Sequence, residues 1–231
     1  MSDFVIGDIH GCSKTTQKLV KDVLRPAPSD RLIFVGDYID RGPDSKGVID
    51  FILELQQYAS FEVIALRGNH EQMLLNAMKN PEEMGLWLMN HGDTTLDSYG
   101  LKIDYDNPAT TFADFPQEHY EFLKQTSFYF EADDYIAVHA GFDFNRADFK
   151  SDIHSMLWTR EMVPDLTKTD GKIIVHGHTP FPLDRIENQI MNKDKAINMD
   201  NGCKFKEMPG FGHLLAYEPA KQKLFMQANV D

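Results

Sequence analysis

Three short apolar runs in the first third of the sequence each end close to a glycine, and each glycine precedes residues that can bind a metal. Stretches with helical spacing separate the runs, at residues 13–24, where Ser13 is the predicted N-cap, and at 44–58. This alternation predicts βαβ units and a parallel sheet. Because loops at the carboxyl ends of parallel strands converge on one crevice, the polar residues after the glycines are expected to meet in space. The predicted strands are 4–6, 32–35 and 63–66.

The pattern changes after residue 128, where strand-like runs follow one another. Before it, residues 81–125 look helical and irregular, and their large side chains Met84, Trp87 and Met89 are expected to pack in the core. The later strands predict a second sheet stacked on the first. The expected fold is α/β, with two stacked mixed β-sheets flanked by helices in a single domain over residues 1–231. The later strand candidates are 127–131, 134–138, 172–176, 195–199, 211–217 and 222–227.

Charge and composition exclude several classes of protein. The net charge is -13 and no long basic cluster is present, so a non-specific nucleic-acid binder is not expected. No stretch approaches the roughly 20 apolar residues of a membrane span, and the first residues lack the pattern of a signal peptide. We therefore expect a cytoplasmic protein with no membrane partner. Cys12 and Cys203 are too few and too far apart in sequence for a disulfide framework, and free thiols are expected.

Five strand ends together supply Asp, His and Asn side chains that could form a metal centre. Taken singly, each segment has an ordinary explanation as a turn or a surface histidine. Taken together, their mixed oxygen and nitrogen donors suit manganese, iron or zinc better than calcium, and no thiolate set supports a structural zinc site. Metal ions would also explain how an acidic chain binds an anion. The segments are 7–11, 36–42, 68–71, 139–141 and 176–180.

These segments resemble the PPP family of serine/threonine protein phosphatases, which has the calcineurin-like metallophosphoesterase fold, a four-layer sandwich. GDIHG, GDYIDRG, GNHE, HAG and GHTP stand in the family's order and at similar spacings. Residues 198–203 and 91–100 resemble elements of the compact bacterial and phage branch. Where relatives tend to have two glycines in the second of these elements, this chain has Gly92-Asp93.

The resemblance implies two divalent metal ions, with manganese expected and iron or zinc as alternatives. It implies that Asp37 bridges the ions, whereas His176 does not match the motif and is treated as a neighbour. The residues implied as metal ligands are Asp8, His10, Asp37, Asn69, His139 and His178. Those implied for catalysis are His70 as general acid, Asp40 as the residue that orients it, and Arg41 and Arg160 as phosphate binders.

The implied reaction is hydrolysis of a phosphate monoester by direct attack of a hydroxide that bridges the metals, with His70 protonating the leaving alkoxide. The expected substrate is a phosphoserine or phosphothreonine protein, or a small phosphoester. A diadenosine tetraphosphatase is the alternative on the same fold, but Asp40 beside Arg41, and Glu71 after His70, favour the phosphatase branch. A catalytically inactive binding protein is a second alternative, although none of the expected positions is lost. The oligomeric state is left open.

Overall fold

The computed structural model describes all residues from 1 to 231 and contains ten strands and eight α-helices. The strands are β1 Asp3–Ile6, β2 Arg31–Phe34, β3 Glu62–Ala65, β4 Tyr129–Glu131, β5 Tyr135–Val138, β6 Ile173–His176, β7 Ala196–Asn198, β8 Asp200–Asn201, β9 His213–Glu218 and β10 Lys223–Ala228. The helices are α1 Ser13–Lys18, which continues as a π-helical segment Leu19–Leu24, α2 Ser45–Tyr58, α3 Asn69–Lys79, α4 Met84–Met89, α5 Gly92–Tyr99, α6 Gln117–Gln125, α7 Ile153–Trp158 and α8 Leu183–Asn192.

The strands form two mixed sheets, which confirms the expected fold class. The first sheet has the order β10-β9-β1-β2-β3, with β8 also paired to β9; its β1, β2 and β3 are parallel. The second has the order β4-β5-β6-β7, with β5, β6 and β7 parallel and β4 antiparallel. The assignment of all later strands to the second sheet is wrong, because β9 pairs with β1 and carries β10 and β8 into the first sheet.

Alternation of side chains along the strands explains how the layers stack. Successive residues of a strand point to opposite faces, so Val5 lies between the two sheets while Phe4 and Ile6 face the helices. The layer between the sheets also contains Ile33 of β2 and Val175 of β6, both fully buried. A third apolar cluster covers the far face of the second sheet. The sandwich therefore holds the ends of β1, β2 and β3 in fixed positions.

Most of the predicted elements are confirmed within a few residues, but two local predictions are wrong. Ser13 is not the N-cap of α1, because Cys12 occupies that position and the Asp231 carboxylate accepts the first free N–H groups of the helix. Met84 and Trp87 are buried as expected, whereas Met89 is 77% exposed. Met89 lies two residues beyond Trp87, so the helical turn places it on the opposite face.

Two elements were not predicted, namely α7 and α8. Strand-like runs dominate the sequence after residue 128 and hid both helices. In addition, α8 buries only Ile186. None of the helices has the length and apolar character that crossing a bilayer requires. The parallel strands β5, β6 and β7 are connected by crossovers. Residues after β5 and β6 contact residues after β1 and β3, so the carboxyl ends of the parallel strands in both sheets lie at the same edge.

Replacement of Ile33 by alanine tests the layer between the sheets. Ile33 is fully buried in β2, an inner strand of the first sheet, so the cavity left by Ile33→Ala should lower the free energy of unfolding by about 2–5 kcal/mol. Met89→Ala removes an exposed side chain and should change it by less than about 0.5 kcal/mol. Urea unfolding of both variants measures the difference, and equal effects would contradict the packing described here.

Candidate active site and metal centre

The loops after β1, β2 and β3 meet at the carboxyl edge of the first sheet. They carry Asp8 and His10, then Asp37, then Asn69 at the start of α3, and each of the four side chains is at most 4% exposed. The Asp37 carbonyl accepts the His10 N–H at 2.8 Å and thereby joins the first two loops. Gly68 allows the third loop to approach, because a Cβ atom there would collide with the Asp37 carboxylate and backbone nitrogen.

One group of donor atoms consists of Asp37, His139 and His178, whose ligand atoms all lie within 4.8 Å of one another. The Asn69 Oδ1 atom joins them, at 2.9 Å from His139 Nε2 and 3.0 Å from His178 Nδ1. The other nitrogen of His139, Nδ1, faces the Val35 carbonyl at 3.1 Å, so it carries the proton and leaves the Nε2 lone pair toward the group. His139 and His178 come from the strand ends of the second sheet, so both sheets contribute to the group.

A second group consists of His10, Asp37 and His70, again within 4.8 Å. His10 Nδ1 faces the Ile39 carbonyl at 3.0 Å, so the lone pair of His10 lies on Nε2. That Nε2 atom is 3.4 Å from Asp37 Oδ2. Asp37 therefore belongs to both groups, which is the geometry expected of a carboxylate that two metal ions share.

The Asp8 carboxylate belongs to neither donor group. It accepts the backbone N–H of His178 at 3.0 and 3.2 Å, and Gly177 leaves the space that this approach needs. Burial, followed by the nearby carboxylates of Asp200 and Asp37, raises the pKa of Asp8 well above its ordinary value. The structure thus places Asp8 beside the histidines of the second sheet as well as near Asp37.

The protonation states of the site favour binding of cations. Burial lowers the pKa values of His10 and His139, and burial together with His139 lowers that of His178 to about 3, so all three are neutral imidazoles near pH 7. Neutral imidazole is the form that coordinates metals. Burial and Asp37 raise the pKa of Asp200 to about 7, and its Oδ2 atom has no hydrogen-bond partner. This cluster of buried carboxylates and neutral imidazoles fits divalent cations.

A buried pair formed by His70 and Asp40 adjoins the second group. His70 Nδ1 lies 2.7 Å from Asp40 Oδ2, while His70 Nε2 has no hydrogen-bond partner and lies 4.0 Å from Asp37 Oδ2. Burial opposes protonation of His70, but the Asp37 and Asp40 carboxylates outweigh burial and raise its pKa. The free nitrogen therefore faces the donor atoms and can hold a proton there.

The two arginines predicted to bind phosphate lie in different surroundings. Arg41 Nη1 is 2.8 Å from His10 Nε2, at the centre of the site. Arg160 is exposed and makes no hydrogen bond or ion pair, although the Trp158 ring, two residues earlier, is 6.4 Å from the His178 ring. His176 belongs to neither donor group, as its motif position indicated. The structure brings Arg41 to the site and leaves Arg160 at its border.

The backbone is strained where the site residues lie. The chain has ten residues other than glycine with positive φ, and half of them are residues that the sequence motifs marked. Such conformations cost of order 1–3 kcal/mol each and persist only where the surrounding structure holds them, which is typical of functional sites. The five are His10, Asp37, Asp40, Arg41 and His178.

Four residues that support the site were not predicted to do so. Glu71 accepts N–H groups from Gly68 and from residues 37–39, and its only sequence signal is its place directly after His70. Asp200 is the first residue of β8, in the segment 198–203 that was noted only for its resemblance to the compact bacterial and phage branch. Trp87 and Thr95 hydrogen-bond to Asp40, and Trp87 was expected only as a core residue.

A two-sheet α/β fold with Asp, Asn and His donors gathered at the strand ends defines a metal-dependent hydrolase of phosphate esters. The chain belongs to the calcineurin-like phosphoesterase family, whose profile matches residues 4–215. It is an enzyme of the metallophosphoesterase type, and the family implies divalent metal ions as cofactors. The resemblance that the motifs indicated is thereby confirmed.

Proteins with similar sequences are named either as serine/threonine-protein phosphatases or as bis(5'-nucleosyl)-tetraphosphatases. Serine/threonine-protein phosphatase 1 of Salmonella typhimurium is 31% identical over 188 residues, which cover 77% of this chain and 78% of that protein. A symmetrical bis(5'-nucleosyl)-tetraphosphatase of Nitrosomonas europaea is 29% identical over 141 residues, which cover 61% of this chain and 45% of that protein. A crystal structure of a putative diadenosine tetraphosphatase has a TM-score of 0.68 at 21% identity, with 100% of this chain and 94% of that chain covered. The last likeness concerns the fold alone.

Substitution of Asp8 tests its inclusion in the metal centre. Asp8→Asn removes a buried charge close to Asp37, and we expect it to weaken binding of manganese by at least about tenfold. Isothermal titration calorimetry of the metal-free protein measures both affinity and the number of ions bound. Asp133→Asn, at an exposed position, is the matched control. Unchanged binding of two ions by Asp8→Asn would contradict this placement.

Proposed function

We propose that this enzyme removes phosphate from phosphoserine and phosphothreonine residues of proteins, with two manganese ions as cofactors. The observation that carries the proposal is the His70–Asp40 pair, in which Nδ1 is bound at 2.7 Å and Nε2 is left free beside the shared carboxylate of Asp37. When bound, the metal ions would supply Lewis-acid chemistry by polarising the phosphoryl group and lowering the pKa of water. The ligands would be Asp8, His10, Asp37, Asn69, His139 and His178.

The leaving group explains why a buried acid matters for this substrate class. Serine and threonine leave as strongly basic alkoxides, so cleavage requires a proton at the ester oxygen in the transition state. His70 can hold that proton on Nε2, because Asp40 binds the opposite nitrogen and stabilises the imidazolium form. Asp40 also fixes the orientation of the ring. The pair therefore acts as a general acid aimed toward the donor groups that would hold the metals.

Positive side chains would orient the phosphate. Arg41 lies beside His10, where its guanidinium can donate two parallel hydrogen bonds to phosphoryl oxygens. Arg160 has no partner of its own and is available to a substrate that enters from the exposed side of the site. Both arginines also offset the negative charge that would accumulate on the phosphoryl oxygens.

Hydrolysis of dinucleoside polyphosphates is the second candidate function. The sequence similarity to a bis(5'-nucleosyl)-tetraphosphatase supports it. A nucleotide phosphate is a weakly basic leaving group, so this reaction depends much less on a proton from His70. The two functions consequently differ in how strongly they need the acid.

A direct comparison of substrates distinguishes the two functions. We expect the manganese-loaded enzyme to have a kcat/KM on a phosphoserine peptide at least about tenfold above that on diadenosine tetraphosphate, because a positioned acid accelerates mainly the departure of strongly basic leaving groups. A phosphotyrosine peptide in the same assay reports a less basic leaving group. A preference for diadenosine tetraphosphate would establish the second candidate instead.

Substitution of the acid gives the sharpest test of mechanism. His70→Asn should lower kcat on the phosphoserine peptide by about 10²-fold or more, because the alkoxide then leaves unprotonated. The same variant should retain most of its rate on 4-nitrophenyl phosphate, whose leaving group is a weak base. Metal content measured on both proteins controls for loss of cofactor. An undiminished rate on the phosphoserine peptide would contradict the assignment of His70.

A further inference from the structure

Asp40 accepts hydrogen bonds from three side chains in a pocket that excludes water. His70 Nδ1 donates to Oδ2 at 2.7 Å, Trp87 Nε1 donates to Oδ2 at 2.9 Å, and Thr95 Oγ1 donates to Oδ1 at 2.6 Å. All four side chains are at most 1% exposed. Both carboxylate oxygens thus accept hydrogen bonds. Two of the donors, Trp87 and Thr95, come from α4 and α5, which carry none of the predicted metal ligands.

We propose that Trp87 and Thr95 are positioning residues for catalysis, which hold the Asp40 carboxylate in the place that His70 needs to act as the general acid. This inference rests on the proposed function of His70. It gives the segment that contains α4 and α5 a role in the chemical step. Neither residue touches the substrate or the metal donors, so each acts only through Asp40.

Burial raises the pKa of Asp40, and the hydrogen bonds from Thr95 and Trp87 oppose that rise by stabilising the carboxylate. Thr95 has one hydroxyl proton, and at 2.6 Å from Oδ1 that proton belongs to the Asp40 contact. The Thr95 oxygen in turn accepts the Asp40 backbone N–H at 2.9 Å and lies 3.0 Å from Ser45 Oγ. When Thr95 donates its only hydroxyl proton to Asp40, its oxygen is left to accept a proton from Ser45, so both hydroxyls serve a carboxylate that acts as an acceptor.

Trp87 is fixed by close packing, so its N–H bond is not adjustable. A Cβ atom on Gly92, the first residue of α5, would collide with the indole ring, and the Phe112 ring lies 5.7 Å away. The indole N–H bridges both carboxylate oxygens, at 2.9 and 3.2 Å. Because indole nitrogen can only donate, it favours the carboxylate over the protonated acid. Asp40 has a positive φ of 67°, a strained conformation that these bonds help to maintain.

The test separates positioning from packing by the basicity of the leaving group. Thr95→Val keeps the shape of the side chain but removes the hydroxyl, and should lower kcat on a phosphoserine peptide by about tenfold. On 4-nitrophenyl phosphate the same variant should stay within about threefold of the wild type, since this ester needs no proton. Thr95→Ser restores the hydroxyl and should restore the rate. Trp87→Phe provides a second variant with the same expected pattern.

Two controls make the outcome decisive. Thr94→Val makes the same change one residue earlier, where the hydroxyl donates to the His91 carbonyl, and should leave both rates unchanged. In the double variant with His70→Asn, Thr95→Val should cause no further loss on the peptide, because both changes act through one proton. Equal losses on the two esters, or no rescue by serine, would overturn the inference while leaving His70 as the acid. If His70→Asn itself shows no dependence on the leaving group, the proposed function and this inference both fail.

Discussion

The Glu71 carboxylate joins the loops on which the rest of the site depends. It accepts the N–H groups of Gly68 and Asp37 at 2.9 Å, of Tyr38 at 2.8 Å and of Ile39 at 3.3 Å. A buried carboxylate is costly unless it is hydrogen-bonded, and here four backbone donors offset the cost. Because these donors flank Asp37 and precede Asn69, one side chain fixes the relative positions of a carboxylate and an amide that come from separate strands.

The fold also concentrates negative charge at this position. Asp8, Asp37 and Asp200 are each at most 2% exposed, and burial raises the pKa values of Asp8 and Asp200. Such a cluster is unfavourable without cations, so binding of divalent ions and stability of the site are coupled. The ions would also reverse the sign of the local charge. A chain with a net charge of -13 can in this way attract a phosphate group at one point while its surface remains acidic.

The strand ends that carry the donors could be predicted from sequence because the signal is local. An apolar run, a glycine and then Asp or His occupy only a few positions, and the parallel sheet guarantees that such loops converge. The pairing of β9 with β1 was not predictable in this way, since an isolated strand pattern does not reveal its partner. The same limit applies to Trp87 and Thr95, which are 47 and 55 residues from Asp40 in sequence. Burial was expected for Trp87 but not for Thr95, and only the structure reveals the carboxylate that both contact.

The segment from α4 to α5 connects Asp40 to the border of the site through direct contacts. Its turn borders the site, because the His91 carbonyl lies 3.5 Å from the Arg41 backbone nitrogen, and His91 itself has a left-handed backbone. Trp87 before this turn and Thr95 after it both bind Asp40. A displacement of the turn would therefore move Asp40 as well as the neighbourhood of Arg41. Asp93, just after that turn, is exposed and takes no part in the hydrogen bonds to Asp40. The exposed surface around the turn can therefore vary while the buried contacts to Asp40 stay the same.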